Sequence, residues 1–178
     1  EKDKIWADRK EPIWTNLYFD LTPDHEWVYQ TYMELLQQAA AQQAGIVLNE
    51  SEFSRLLRER QVAADPEMLE LDCKTNKPEI LLEALRNYRI GPKEKALVLC
   101  EFRYTFDKIC TLLKKEGYQI RSICGADSKV TRDRAITEFT ENDSITVFVG
   151  MRKAMAEGVN LQAASVLLNY ELGWELDK

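Results

Sequence analysis

The sequence predicts an α/β domain whose parallel sheet is covered by helices on both faces. From residue 95 onward, short apolar runs alternate with segments whose apolar residues recur at helical spacing. Most of these runs are continuous rather than alternating, which is typical of strands buried on both faces. Strands that alternate with helices pair most often as parallel neighbours. Hydrophobic residues make up 45% of the 178 residues, enough for one such core.

Four strands and two helices are predicted in this part of the chain. The strands are the runs KALVLC, QIRSIC, SITVFVG and ASVLLNY, and we expect the first, third and fourth to be buried. The first helix is predicted in the stretch 103–118, with Gly117 at its end, and the second over 128–140. Their expected core residues are Phe106, Ile109, Leu112 and Leu113 in the first helix, and Val130, Ala135, Ile136 and Phe139 in the second.

Residues 1–65 have a different pattern and are predicted to form a strand followed by helices. The strand is expected at 17–20, and Thr22 and Pro23 then match the N-cap and the first position of a helix that Gly45 ends. A second helix is expected over about 50–60. Apolar stripes on both helices predict that this segment packs against the following domain, in which a further helix spans 76–88.

Composition excludes several classes of protein. A net charge of −6 argues against a surface that coats nucleic acid as a whole, although 24 Lys and Arg leave room for a local basic strip. No apolar run approaches the roughly 18 residues that a membrane span needs, so we expect no membrane partner. The polar start lacks both Met and an apolar signal core, and we interpret both ends as cut from a longer protein.

The cysteines and the single histidine argue against metal and nucleophile chemistry. Cys73, Cys100, Cys110 and Cys124 form no Cys-x-x-Cys pair, so a zinc site is not expected. Cys100 and Cys124 lie in strand-like runs and are expected to be reduced core residues, which favours a cytoplasmic location, or a nuclear one in a eukaryote. His25 is expected on a helix surface, and no Ser-His-Asp or Cys-His arrangement is supported.

Ligands of open parallel sheets bind beyond the carboxyl ends of the strands, so the loops after the strands are the candidate site. These loops read EFRYT, GADSKVTR, MRKAMAEGVNLQ and ELGW. Several are polar, basic or contain glycine, as a phosphate-facing edge requires.

Three ordered motifs, KALVLCEF, CGADSKVTRDRAITEF and VFVGMRKAMAEGVNLQAASVLLNYELGW, resemble the second RecA-like lobe of superfamily-two helicases. They are most similar to the Swi/Snf-type group of DNA translocases, in which they are motif IV, a Gly-to-Arg element and motif V. The upstream sequence is similar to the segment that joins the two lobes. The resemblance thus implies a linking segment at 1–65 and a RecA-like C-terminal lobe at 66–178 that ends before motif VI.

The resemblance implies nucleic-acid contacts along the loop edge. Arg103, helped by amides at the start of its helix, would reach a phosphate. Gly125 would permit a sharp turn after the second strand and pair with Arg132, while Arg152 and Lys153 would aim at phosphate. The alternative is ordinary surface charge on helix starts and a plain turn at Gly125.

Motif V implies nucleotide-binding residues at Glu157, Gly158 and Asn160. Gly158 allows a φ that other residues resist, and Glu157 and Asn160 offer acceptors for a ribose hydroxyl or an interlobe contact. A helix C-cap with a tight turn is the alternative. Trp174 is expected to pack, and Glu175 and Leu176 depart from the Asn-Pro pair that often follows it in the family.

Elements needed for hydrolysis are missing from the sequence. It has no Gly-x-x-x-x-Gly-Lys-Ser/Thr loop, no Asp-Glu pair placed for magnesium and no motif VI. We therefore expect no catalytic residue in this chain and no ATPase activity from it alone. ATP and Mg²⁺ are expected as cofactors of the full-length protein, with none bound to this chain. The expected partners are the N-terminal lobe and double-stranded DNA, contacted through its backbone.

Other functions remain open. A Rossmann oxidoreductase would need G-x-G-x-x-G after the first strand, where EFRYTF contains no glycine. A degenerate lobe that serves as a protein- or nucleic-acid-binding platform fits the acidic balance, and an RNA helicase lobe is a further alternative.

Overall fold

Helices and strands alternate along the chain in the computed structural model, which describes residues 13, 15–42, 49–155 and 161–173. The helices are α1 (Pro23–Gln42), α2 (Asn49–Ala64), α3 (Lys77–Asn87), α4 (Arg103–Lys115), α5 (Lys129–Glu141) and α6 (Arg152–Met155), with a 3₁₀ helix at Pro66–Leu69. The strands are β1 (Lys95–Cys100), β2 (Ile120–Ile123), β3 (Val147–Met151) and β4 (Ala164–Asn169).

The four strands form one sheet in the order β2-β3-β1-β4, and every pairing is parallel. The two central strands, β1 and β3, are buried as their apolar runs predict. The expectation of burial is wrong for β4, in which alternate residues are exposed and Leu167 is 47% exposed. The reason is position, because in the described part of the chain β4 has a neighbouring strand on one side only.

Helices cover both faces of the sheet, which confirms the predicted α/β class. On one face, α3 and α4 pack against β1 and β3 through a cluster that includes Leu85 and Ile109. On the other face, α5 and α6 pack against β2 and β3. There the rings of Phe139 and Phe148 meet edge to face with centroids 5.2 Å apart. Full burial of an aromatic side chain of this size contributes roughly 1.5–3 kcal/mol.

Helical periodicity was a good guide to α4 and a poorer one to α5. Gly117 follows α4 with φ +86°, the left-handed conformation that ends many helices. In α5, Phe139 is fully buried, but Val130 is 78% exposed, so the prediction of an inward Val130 is wrong. Nine residues separate the two, and at 3.6 residues per turn this places them on roughly opposite faces of the helix.

The N-terminal segment contacts the lobe, for example where the Asn76 side chain donates to the Asp20 carbonyl over 2.9 Å. The prediction that its apolar stripes make this contact is wrong for Trp27, Leu35 and Phe53, each of which is more than half exposed.

Two further details of the N-terminal segment differ from the expectation. No strand forms at 17–20; residues 15–19 instead line a groove of ≈ 910 Å³ beside α3 and β4. The helix start is correct, since the Thr22 hydroxyl accepts a hydrogen bond from the amide of His25. His25 itself is fully buried rather than on the surface, and its Nε2 donates to the Val62 carbonyl over 2.8 Å. The expected helix end at Gly45 lies outside the described residues.

All four cysteines are buried free thiols, in agreement with the expectation for Cys100 and Cys124. Burial raises the pKa of the Cys110 thiol to about 11. Among the described helices, none combines the length and the apolar character that crossing a bilayer requires.

Candidate nucleic-acid interface

The parallel register brings the carboxyl ends of all four strands to one edge of the sheet. Leu99 of β1 pairs with Gly150 of β3 and with Asn169 of β4, and Gly150 also pairs with Ile123 of β2. The loops that sequence reasoning selected therefore lie side by side. This edge is the candidate site.

A buried carboxylate, Glu171, organises the centre of the edge. It follows β4 and is 6% exposed. Its Oε2 accepts hydrogen bonds from the amides of Glu101 (2.8 Å) and Phe102 (3.2 Å) and from the Thr105 hydroxyl (3.0 Å). A negative charge is favourable at the start of a helix, here α4. The amides of residues 101 and 102, just before α4, are thus occupied by the protein itself and are not free to hold a phosphate.

Arg103, the first residue of α4, lies at the solvent side of this edge. Its side chain is 57% exposed, and its Nε donates to Asp107 over 2.8 Å. One guanidinium NH₂ group donates to the Cys124 thiol at the end of β2, over 3.2 Å. The guanidinium therefore bridges the exits of β1 and β2 while keeping much of its surface open.

Gly125 and Arg132 are brought together, as the resemblance implies. The Arg132 guanidinium donates to the carbonyl of Gly125 (3.3 Å) and to that of Asp127 (3.1 Å), so it braces the β2–α5 loop from within. Gly125 lies in the turn that follows β2, as expected, but its φ is outside the left-handed region, so the turn does not require glycine for its conformation. A Cβ there would meet no atom within 4 Å, so the backbone faces open space.

The two cations after β3 have different surroundings. Arg152 donates to the Asn169 side chain (3.0 Å) and to the Glu171 carbonyl (2.7 Å), and its Nε lies 3.6 Å from a carboxylate oxygen of Glu101. It therefore joins the ends of three strands instead of pointing away from the protein. Lys153, the next residue, is exposed.

Sequence reasoning missed Glu171, Thr105 and Asn169, the polar groups that hold this edge together. The only signal was a carboxylate directly after an apolar strand, in ELGW. The expected nucleotide contacts Glu157, Gly158 and Asn160, and also Trp174, lie outside the described residues. Within the described ranges, no three histidine, cysteine or carboxylate side chains are grouped to hold a metal ion.

Residues 76–178 match the family model described as the helicase conserved C-terminal domain. The chain belongs to this family. The match covers more than half of the chain and includes every strand of the sheet.

Two curated relatives are much longer than this chain. It is 28% identical over 104 residues to the ATP-dependent RNA helicase DBP5 of Mycosarcoma maydis, which covers 57% of this chain and 22% of that protein. It is 25% identical over 181 residues to an uncharacterized ATP-dependent helicase of Mycoplasma pneumoniae, which covers 97% of this chain and 17% of that protein. The chain thus spans less than a quarter of the length of either relative.

Solved structures with the same fold include two from Sulfolobus solfataricus. The SWI2/SNF2 ATPase C-terminal domain superposes with a TM-score of 0.77 at 23% identity, over 88% of this chain and 71% of that one. The SWI2/SNF2 ATPase core in complex with dsDNA gives 0.73 at 24% identity, over 88% and 34%. The predicted RecA-like helicase C-terminal lobe, with the fold of Swi/Snf-type ATPases, is confirmed.

Proposed function

We propose that this chain is the second lobe of an ATP-dependent DNA translocase of the Swi/Snf type. The observation that carries the proposal is the convergence of Arg103, Lys153 and the open backbone at Gly125 on one edge of a helicase C-terminal lobe. Two cations and an accessible backbone are suited to phosphate oxygens. Membership of the helicase C-terminal family supports ATP-dependent action of the whole protein.

DNA would be gripped through its backbone, which makes binding independent of sequence and sensitive to salt. Arg103 would contribute the exposed part of its guanidinium, and Lys153 a second charge. Arg132 and Arg152 would act from behind, by holding the loops that carry the contacts. A duplex is the favoured substrate because a structure with the same fold is an ATPase core in complex with dsDNA. An RNA substrate is the alternative, since one relative is an RNA helicase.

ATP would bind between this lobe and the N-terminal lobe, with Glu157, Gly158 and Asn160 as the proposed contacts from this side. Magnesium would neutralise phosphate charge and would be held by the N-terminal lobe. Phosphoryl transfer needs charge-stabilising groups from both sides of the cleft, so the chain alone should be inactive. Closing and opening of the two lobes would move the protein along DNA.

A non-catalytic binding platform is the second candidate. The commitment of Arg152 and of the amides at 101 and 102 to internal contacts favours it, because fewer groups are then free for DNA. The net charge of −6 also favours a binding platform, because it argues against a surface that binds DNA as a whole.

A salt titration of DNA binding by the intact protein tests the proposal. Arg103→Ala and Lys153→Ala should each weaken binding to any duplex sequence and lower the slope of log K against log salt by about one. Lys115→Ala, at the other end of α4, is the matched control and should bind like the unmodified protein. Unchanged affinity and slope in both edge variants would contradict the proposal, and tighter binding of an RNA duplex would select the RNA alternative.

A further inference from the structure

Helix α4 is capped by a residue that lies about 70 positions later in the chain. The N-cap position is Phe102, whose side chain makes no capping hydrogen bond. A cap is normally local and polar, with a Ser, Thr, Asp or Asn at this position. Here Glu171 supplies the acceptor from the end of β4 and takes both the Glu101 and the Phe102 amides on one oxygen.

Local stability alone does not require this arrangement. A buried carboxylate is costly to desolvate, and a serine at 102 could cap the helix without that cost. The second oxygen of Glu171, Oε1, is buried without a hydrogen-bond partner in the described part of the chain. The distinctive result of using Glu171 is that the exit of β4 is hydrogen-bonded directly to the turn between β1 and α4.

Contacts of Arg152 join the end of β3 to the end of β4 and to the β1–α4 turn. Arg152 donates to the carbonyl of Glu171 as well as to Asn169, and its Nε lies close to Glu101. Arg103 follows the clamped amide of Phe102 directly in sequence. Its backbone position is therefore set by a contact that originates beyond β4.

We propose that Glu171 is a positioning residue, which holds the β1–α4 turn so that Arg103 is presented to nucleic acid during nucleic-acid-stimulated ATP hydrolysis. This inference rests on the proposed function. Glu171 acts through Arg103 and touches no substrate itself. Its loss should raise the DNA concentration that gives half-maximal stimulation, while the maximal rate at saturating DNA changes little.

A double-mutant cycle in the intact protein tests this role. Glu171→Ala and Arg103→Ala should each raise the half-maximal DNA concentration by about three- to tenfold. The double variant should be no worse than either single variant, because both remove the same contact. Glu171→Gln keeps an oxygen in the Oε2 position and should restore most of the DNA response. Glu116→Gln, at the far end of α4, is the matched control and should leave it unchanged.

The outcomes separate failure of the positioning role from failure of the proposed function. Independent, multiplicative losses in the double variant, or no rescue by Glu171→Gln in a folded protein, would overturn the positioning role alone. Absence of DNA stimulation in the unmodified protein would overturn the proposed function, and this inference with it. If Glu171→Ala does not fold, the same cycle is run with Thr105→Val, which removes one of the three donors, and the same criteria apply.

Discussion

The Nζ of Lys108 lies 2.5 Å from Oδ2 of Asp65, a residue with no solvent-exposed surface. Lys108 is on α4, and Asp65 is the residue directly after α2. The ion pair therefore joins the N-terminal segment to the lobe. Glu67 adds a second carboxylate 2.7 Å from the same ammonium. The helix that begins with Arg103 is thus held at its side by Asp65 and Glu67 and at its start by Glu171.

Replacing Lys108 with Met should lower the free energy of unfolding by about 3–5 kcal/mol, because it leaves the buried Asp65 carboxylate without its counter-charge. Urea unfolding followed by circular dichroism measures the change. Lys115→Met, an exposed lysine on the same helix, should change stability by less than about 0.5 kcal/mol. Equal losses in the two variants would contradict the assigned role of the pair.

Glu67 should make stability depend on pH in the acid range. The hydrogen bond from Lys108 lowers the pKa of Glu67 below its ordinary value of 4.5, although burial opposes the shift. The folded pKa is lower than the unfolded one, so this stabilisation is complete above about pH 4.5 and is lost as the pH falls through the folded pKa. Unfolding curves between pH 7 and pH 3 should show a gap between the unmodified protein and Glu67→Gln that narrows as the pH falls. A gap of constant size would refute the linkage.

Two glycines should differ in how much stability their replacement by alanine costs. Gly117 has φ +86°, which costs an L-residue about 1–2 kcal/mol, so Gly117→Ala should destabilise the chain by that amount. Gly125 has neither a left-handed φ nor any atom within 4 Å of an added Cβ, so Gly125→Ala should leave stability within about 0.5 kcal/mol. Thermal unfolding of both variants is the measurement, and a larger loss at Gly125 would contradict the assigned backbone conformations.

Gly173 should resist substitution because of Arg152. A Cβ at Gly173 would lie 2.9 Å from Cδ and 3.2 Å from Nε of Arg152, a side chain held by Asn169 and Glu171. Gly173→Ala should therefore cost about 1–3 kcal/mol in the unmodified background. The cost should largely vanish in an Arg152→Ala background, where the clash is absent. An equal cost in both backgrounds would show that another contact excludes the side chain.

The order of apolar and polar residues along the chain was enough to predict β1, β3 and the end of α4, because short stretches of sequence determine them. The continuous apolar runs identified β1 and β3, and the glycine at 117 identified the end of α4. The burial of β4 and the direction of Val130 were predicted wrongly, because strand order and the angle around a helix decide them. The burial of His25 depends on the Val62 carbonyl, 37 residues away.

The candidate site was predicted in position but not in construction. The edge follows from parallel strands alone, and Arg103 and Lys153 lie on it as expected. The clamp by Glu171 could not be predicted, because it joins groups about 70 residues apart and no spacing rule connects them. For the same reason, the contacts of Arg152 with Asn169 and Glu171, at the carboxyl end of β4, could not be predicted.

The most direct test of the account is ATP hydrolysis by the intact protein, with and without duplex DNA, measured beside the 178-residue chain alone. We predict strong stimulation of the intact protein by DNA and no turnover by the chain. Turnover by the chain alone would contradict its role as one half of a two-lobed site. An intact protein that hydrolyses no ATP with any nucleic acid would contradict the translocase and leave a binding platform.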